Sequence, residues 1–177
     1  MADVFFGDTN PAGRLPYTVY SSQAQVPPLD EYDVSKGFTY MYLKGDPLFA
    51  FGHGLSYTQF KYTNPKLSID KVAVDGDVTA SVNVENTGQR DGDEVVQLYT
   101  RAVKSSVIRP SKELRGFLRF TLKAGEKKTV AFSVRATKLA FYDESKHAFT
   151  VEPGEYEILI GASSVDIRCV MRLKVTE

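Results

Sequence analysis

The sequence predicts an all-β fold, an antiparallel β-sandwich of immunoglobulin-like topology over roughly the last 110 residues, joined to an extended N-terminal segment. Three observations carry this reading. Between Lys66 and Glu177 there are seven or eight stretches in which apolar and polar side chains alternate, the period of a half-buried strand. Clusters of Gly, Asn, Asp and Pro separate these stretches at turn-like intervals. Neither a long helical pattern nor a βαβ rhythm interrupts them, which leaves two packed antiparallel sheets as the economical architecture.

The N-terminal third reads differently. Ala2 to Phe6 resembles the last turn of a helix stopped at Gly7, but five residues cannot nucleate a helix alone, so a preceding segment is expected. Past Asn10-Pro11-Ala12-Gly13, Arg14 to Tyr20 makes one plausible strand. A long stretch with prolines at 27, 28 and 47 then runs to Leu48. A compact domain seldom contains so long a structureless connection, and an extension lying along another surface accounts for it. The expected division is a segment over residues 1–62 and the sandwich over 63–177.

Within the sandwich, Val78 to Glu85 alternates without a fault, with Val78, Ala80, Val82 and Val84 on one face. The turn cluster Asn86-Thr87-Gly88 ends it, and after Asp91-Gly92-Asp93 the run Glu94 to Thr100 is expected as its antiparallel neighbour. Leu114 to Phe120 and Thr129 to Arg135, joined through Lys123-Ala124-Gly125-Glu126, are expected to form a hairpin. Tyr156 to Ile160 and Ile167 to Val175 flank Gly161-Ala162-Ser163-Ser164 and should close the fold. Tyr156 follows a Pro-Gly turn, so its hydroxyl either bonds back to the backbone as a tyrosine corner or is simply buried. Cys169 shares the parity of Met171 and Leu173 and is expected to be a small core hydrophobe rather than a nucleophile.

Composition narrows the function classes. The 177 residues are 42% hydrophobic and 25% charged, as in an ordinary globular chain. The formal charge of +0 gives no electrostatic footprint for nucleic acid or an anionic membrane. No apolar run approaches the roughly 18 residues of a membrane span, and the first residues lack the basic and apolar regions of a signal peptide, so the compartment stays open. A single cysteine rules out an intrachain disulfide and a cysteine cluster.

Candidate chemistry is sparse. The acidic runs Asp30-Glu31-Tyr32-Asp33 and Asp91-Gly92-Asp93-Glu94 lack the spaced ligands of a calcium loop and read as solvated turns. His53 lies in Gly52-His53-Gly54-Leu55-Ser56, which lacks the Gly-x-Ser-x-Gly order of a nucleophile elbow. His147 reads as a turn residue, and neither a metal site nor a cofactor is expected. The extended segment carries Tyr32, Phe38, Tyr40 and Tyr42. Their rings serve packing or, at Tyr32, Tyr40 and Tyr42, offer faces on which a sugar could stack.

Five blocks in order give the chain a resemblance to a known family over nearly its whole length. They are Gly7 to Pro16, Pro47 to Thr58, Asn86-Thr87-Gly88 with Gly92 to Tyr99, Arg109 to Phe117, and Pro153-Gly154-Glu155-Tyr156. Together they resemble the C-terminal end of glycoside hydrolase family 3, whose members have a β/α barrel, an α/β sandwich domain and a C-terminal fibronectin type III-like domain. The resemblance covers the end of the second and all of the third. Gly37 to Tyr42 and Phe51 to Gly54 are more similar to the β-xylosidase branch than to the β-glucosidase branch, with Met41 standing where members commonly carry arginine. In this family the nucleophilic aspartate lies in the barrel and the acid/base residue upstream in the α/β sandwich domain. The resemblance therefore implies no catalytic residue in this chain, since retaining hydrolysis needs two carboxylates about 5 to 5.5 Å apart.

Three functions follow as expectations. The first is a non-catalytic structural module that stabilises the catalytic domains of a β-glycosidase acting on plant-type β-glucosides or β-xylosides. The second is a carbohydrate-binding module holding an enzyme near polysaccharide. The third is an autonomous hydrolase drawing on Asp8, His53 and Ser56. The expected partners are those catalytic domains and, in the isolated chain, further copies of itself. Apolar side chains around Val4, Phe5, Phe6, Leu48 and Phe49 are expected to be exposed and to drive a homo-oligomer.

Overall fold

The computed structural model describes every residue from Met1 to Glu177, and its fold is all-β. A short helix α1 (Ala2–Phe5) and a second, α2 (Thr39–Tyr42), lie in the N-terminal segment. Ten strands follow: β1 (Phe60–Leu67), β2 (Lys71–Ala73), β3 (Asp77–Asn86), β4 (Gly92–Ala102), β5 (Glu113–Leu122), β6 (Lys127–Arg135), β7 (Phe141–Asp143), β8 (Ala148–Thr150), β9 (Gly154–Gly161) and β10 (Ile167–Thr176). They form a three-stranded sheet in the order β1-β3-β6, a five-stranded sheet in the order β2-β10-β9-β4-β5, and a β7-β8 hairpin. All pairs are antiparallel except β2, which runs parallel to β10.

The core lies between the two sheets, where alternation places it. Val78, Ala80, Val82 and Val84 of β3, with Val130, Phe132 and Val134 of β6, face Val96 and Leu98 of β4, Ile158 and Ile160 of β9, and Met171, Leu173 and Val175 of β10. Each of these side chains larger than alanine contributes about 2 kcal/mol by leaving water. Cys169 is buried among them, as its parity predicts. The Tyr156 hydroxyl donates to the Glu152 carbonyl at 2.8 Å, so the tyrosine corner is present.

Two pairing expectations are corrected. β5 and β6 do not form a hairpin: β5 pairs with β4, β6 with β3, and they lie in opposite sheets. The turn between them bonds across the sandwich to the end of β3, with Gly125 N donating to Asn86 O and Asn86 N to Glu126 O, both at 2.9 Å. Those bonds carry the chain over from one sheet to the other. For the same reason β3 and β4 are not neighbours. Asn86 closes one sheet while residues 87–91 cross to the next.

The strand expected over Arg14 to Tyr20 reduces to a single bridge between Val19 and Phe49. The notion of an extension lying along another surface is also refined, because part of that surface is the sandwich's own. Part of residues 7–16 and 40–59 lies over the outer face of β4 in the five-stranded sheet, and β4 is consequently buried on both faces from Glu94 to Thr100, while the outward residues of β10 stay exposed.

Candidate functional site

Where the extension meets the sandwich, the blocks singled out in the sequence interlock. Asn10 accepts from the backbone N–H of Tyr57 (2.8 Å) and from Ser56 Oγ (3.1 Å), and donates to the Asp91 carbonyl (3.1 Å). Arg90 donates to the Gly7 carbonyl at 2.8 Å, and the Tyr57 hydroxyl donates to the Val4 carbonyl at 2.7 Å. The two arms of the extension hold each other through Leu15 N to His53 O (2.9 Å) and Gly52 N to Leu15 O (2.7 Å).

Beside this seam the outer face of β4 presents Val95, Gln97 and Tyr99, all buried. The Gln97 amide donates to the carbonyls of Gly52 (3.2 Å) and Ala162 (2.6 Å), and its oxygen accepts the Tyr99 hydroxyl at 2.5 Å. Tyr40 stacks on Phe51 with ring centroids 4.3 Å apart and meets Tyr99 edge-on at 6.0 Å. Its hydroxyl accepts the Leu114 backbone N–H at 3.1 Å.

A polar cavity of about 380 Å³ opens at the same junction, lined by Arg14, Ser56, Thr58, Glu94, Asp166 and Arg168. Glu94, only 3% exposed, lies 3.5 Å from the Arg14 guanidinium and accepts the Tyr62 hydroxyl at 3.0 Å. Burial, and next the Glu94 charge, push the Tyr62 phenol far above its ordinary range, which keeps it a neutral donor. Arg168 grips Asp166 through two bonds of 3.1 and 2.7 Å, donates to the Phe60 carbonyl at 2.8 Å and lies 4.6 Å over the Tyr62 ring. Each carboxylate of the cavity is thus matched to its own arginine. The arrangement suits the fastening of Arg14, in the extension, to β4.

The site residues expected from sequence are dispersed. Tyr32 is 87% exposed in a surface turn, Tyr40 is committed to the packing just described, and Tyr42 is half-buried beside Arg109 and Phe141. His53 packs its ring against Phe49, 5.3 Å between centroids, and Ser56 bonds to Asn10, so the two form no nucleophile–base pair. His147 sits in the β7-β8 turn at φ +50°. No group of three or more His, Cys, Asp or Glu side chains is gathered to ligate a metal.

The reading of Asp91 to Glu94 as a solvated turn is corrected for its last residues. Gly92, Asp93 and Glu94 belong to β4, and Glu94 is buried. Its signal was available, since Glu94 shares the parity of Val96 and Leu98.

Asp93 stays near the surface and gives the fold an acid-sensitive element. It accepts from Thr121 Oγ1 at 2.6 Å and from Arg119 at 2.8 Å, and these bonds, Thr121's first, hold its carboxyl below the usual range. Glu152 is lowered likewise, chiefly by the Ser105 hydroxyl at 2.7 Å. Both contribute stability that is fully present above the ordinary carboxylate pKa and lost as pH falls through the depressed folded values. Denaturation midpoints are therefore expected to fall as pH drops below about 4. Asp93→Asn should make that fall shallower, and an unchanged slope would count against the assignment.

Comparison with known proteins follows the same division. Residues 1–57 match the family model described as the glycosyl hydrolase family 3 C-terminal domain, and residues 94–164 match that of the fibronectin type III-like domain. A putative beta-xylosidase of Formosa agariphila is 41% identical over 170 residues, covering 94% of this chain and 22% of its own. The thermostable beta-glucosidase B of Acetivibrio thermocellus is 44% identical over 181 residues, covering 94% and 24%. Among solved structures, beta-glucosidase 3B of Thermotoga neapolitana superposes with a TM-score of 0.88 at 33% identity, over 99% of this chain and 26% of that one. The chain spans about a quarter of the length of the curated relatives it matches.

Proposed function

The chain belongs to glycoside hydrolase family 3, as the C-terminal portion that joins the end of its C-terminal domain to a fibronectin type III-like sandwich, and from that premise we propose that it is a non-catalytic structural module. It packs against the catalytic domains of a β-glycosidase acting on β-glucosides or β-xylosides and holds them in register. The observation that carries this reading is the two-sidedness of the extension. One side is locked to the sandwich through Asn10, Arg14, Tyr40 and Phe51, while Phe5, Phe6, Leu29, Leu48 and Phe49 remain exposed. More than half of the large apolar side chains left in solvent fall within the first 57 residues. Apolar surface of this extent is costly in a free monomer and marks a contact face. In the isolated chain the same face supports self-association.

A chimera tests the proposal. When this chain replaces the matching quarter of the Acetivibrio enzyme, the product is expected to be active, and Phe5→Asp with Phe6→Asp should lower the chimera's Tm by several degrees. At concentrations low enough to keep the isolated chain monomeric, the same pair should leave its Tm unchanged. Equal effects in both settings would contradict a docking role.

A further inference from the structure

The extension and the sandwich differ in what holds each together. The contiguous core of 20 buried apolar residues begins at Val72 and takes nothing from the extension, in which only Ala50 and Gly52 are buried up to residue 57. No helix of the extension is longer than four residues, and its one β-contact is the bridge between Val19 and Phe49. The sandwich has a core of its own to fold around, and the extension has none.

The extension is nonetheless one body. Its arms are bonded to each other at Leu15 and His53, at Gly52 and Leu15, and at Val19 and Phe49, where the amide donates at 2.8 Å. Ties across the seam are sparser. Two backbone hydrogen bonds pass from residues 1–57 to the sandwich, Ser111 N to Met41 O at 2.7 Å and Ser164 N to Phe51 O at 2.9 Å. The others are single side-chain bonds around the packing of Tyr40, Phe51 and Tyr99. The pairing of Arg14 with Glu94 adds little resistance, because parting the seam returns both charges to water.

The sandwich also loses little of its own bonding when the seam parts. Gln97 keeps the Ala162 carbonyl and the Tyr99 hydroxyl, and Glu94 keeps the Tyr62 hydroxyl. Thr58 stays fastened to Asn86, and the Gln59 carbonyl to the Thr87 amide at 2.8 Å, which sets the hinge between Tyr57 and Thr58. We propose that residues 1–57 form a strap that parts from the sandwich as a unit while the sandwich stays folded. The parted state uncovers Val95 and Tyr99 on the outer face of β4, both buried when the strap is down. The joint lies within the chain and stands whether or not the extension docks onto catalytic domains.

Amide hydrogen exchange of the full chain at increasing urea, under conditions where the opening equilibrium sets the rate, tests it. The Ser111, Leu114 and Ser164 amides each donate to the strap and report its parting, while the amides of Val78 to Val84 in β3 report global unfolding. The three seam amides should share one protection factor within about 3-fold, at least about 100-fold below that of β3, and one urea slope shallower than that of β3. Val82→Ala, in the core, should lower the β3 protection by about 10- to 100-fold. It should leave the seam amides within about 2-fold, because the core is intact before and after parting. Seam amides that match β3 in protection and slope, or that fall with it in Val82→Ala, would overturn the proposal by making strap and sandwich one cooperative unit. Unequal, urea-independent protection at the three amides would overturn it equally, since each contact would then fray by itself.

Discussion

Gly52→Ala is expected to destabilise the folded chain by about 3 kcal/mol, the combined effect of a forbidden backbone angle and a buried overlap. Gly52 holds φ +80°, and a Cβ there would overlap the Gln97 carboxamide, with Nε2 only 2.7 Å away. That carboxamide cannot rotate aside cheaply. It bridges the Gly52 and Ala162 carbonyls and accepts the Tyr99 hydroxyl, so displacement would strand three buried polar groups. The extension would lift from β4 at the point where Tyr40, Phe51 and Tyr99 pack. In thermal denaturation the loss corresponds to roughly 8 °C for a chain of this size. Gly125→Ala supplies the control, because Gly125 has φ +75° with nothing within 4 Å of its absent Cβ. It should show only the backbone part, about 1 kcal/mol. Equal losses at the two glycines would mean that close approach to Gln97 does not govern docking.

Asn86→Ala is expected to cost about as much, for a different reason. The Asn86 side chain is fully buried and makes four bonds. It accepts from Thr58 Oγ1 (2.6 Å) and Gly88 N (3.1 Å), and donates to the carbonyls of Arg90 (2.7 Å) and Leu122 (3.1 Å). It thereby ties the end of β3, the crossing to β4, the end of β5 and the linker before β1 to one point. Truncation removes two buried bonds, to the Thr58 hydroxyl and the Leu122 carbonyl, and two half-buried ones, a loss of about 3 kcal/mol. Asn86→Asp should be no milder, since a carboxylate would face two carbonyl oxygens. Asn83, three residues earlier on the outward face, makes one side-chain bond, from Thr129 Oγ1. Asn83→Ala is expected to change stability by about 0.5 kcal/mol or less. Urea denaturation of the three variants would show whether the Asn86 network carries the sheet crossing.

Strand existence and facing were legible in the sequence because both depend on local alternation. Val78 to Val84, Val130 to Val134 and Cys169 to Val175 each turn the expected side chains inward. Pairing was not legible, since alternation assigns a face and says nothing of the neighbour. The partners of β3 through β6 depend instead on the Asn86 side chain and the turn at Gly125, contacts between residues about 40 apart. The docking of the extension left one trace. Val95-Val96-Gln97-Leu98-Tyr99 is apolar on both parities, which signals a strand covered on two sides. Gln97 within that run looks like a flaw, yet it is the polar pin that fixes Gly52. The parity of Glu94 with Val96 and Leu98 pointed to its inward face, but not to what it would meet there. Its burial depends on Arg14, eighty residues away in sequence, and no local pattern announces that partner.

Assay of the purified chain against nitrophenyl β-glucoside and β-xyloside puts the scaffold role to its most direct test. The carboxylates of the cavity are held by Arg14 and Arg168, so release of nitrophenol should not exceed the rate in buffer. Turnover that rises with chain concentration and disappears in Glu94→Gln, with the fold retained, would contradict it.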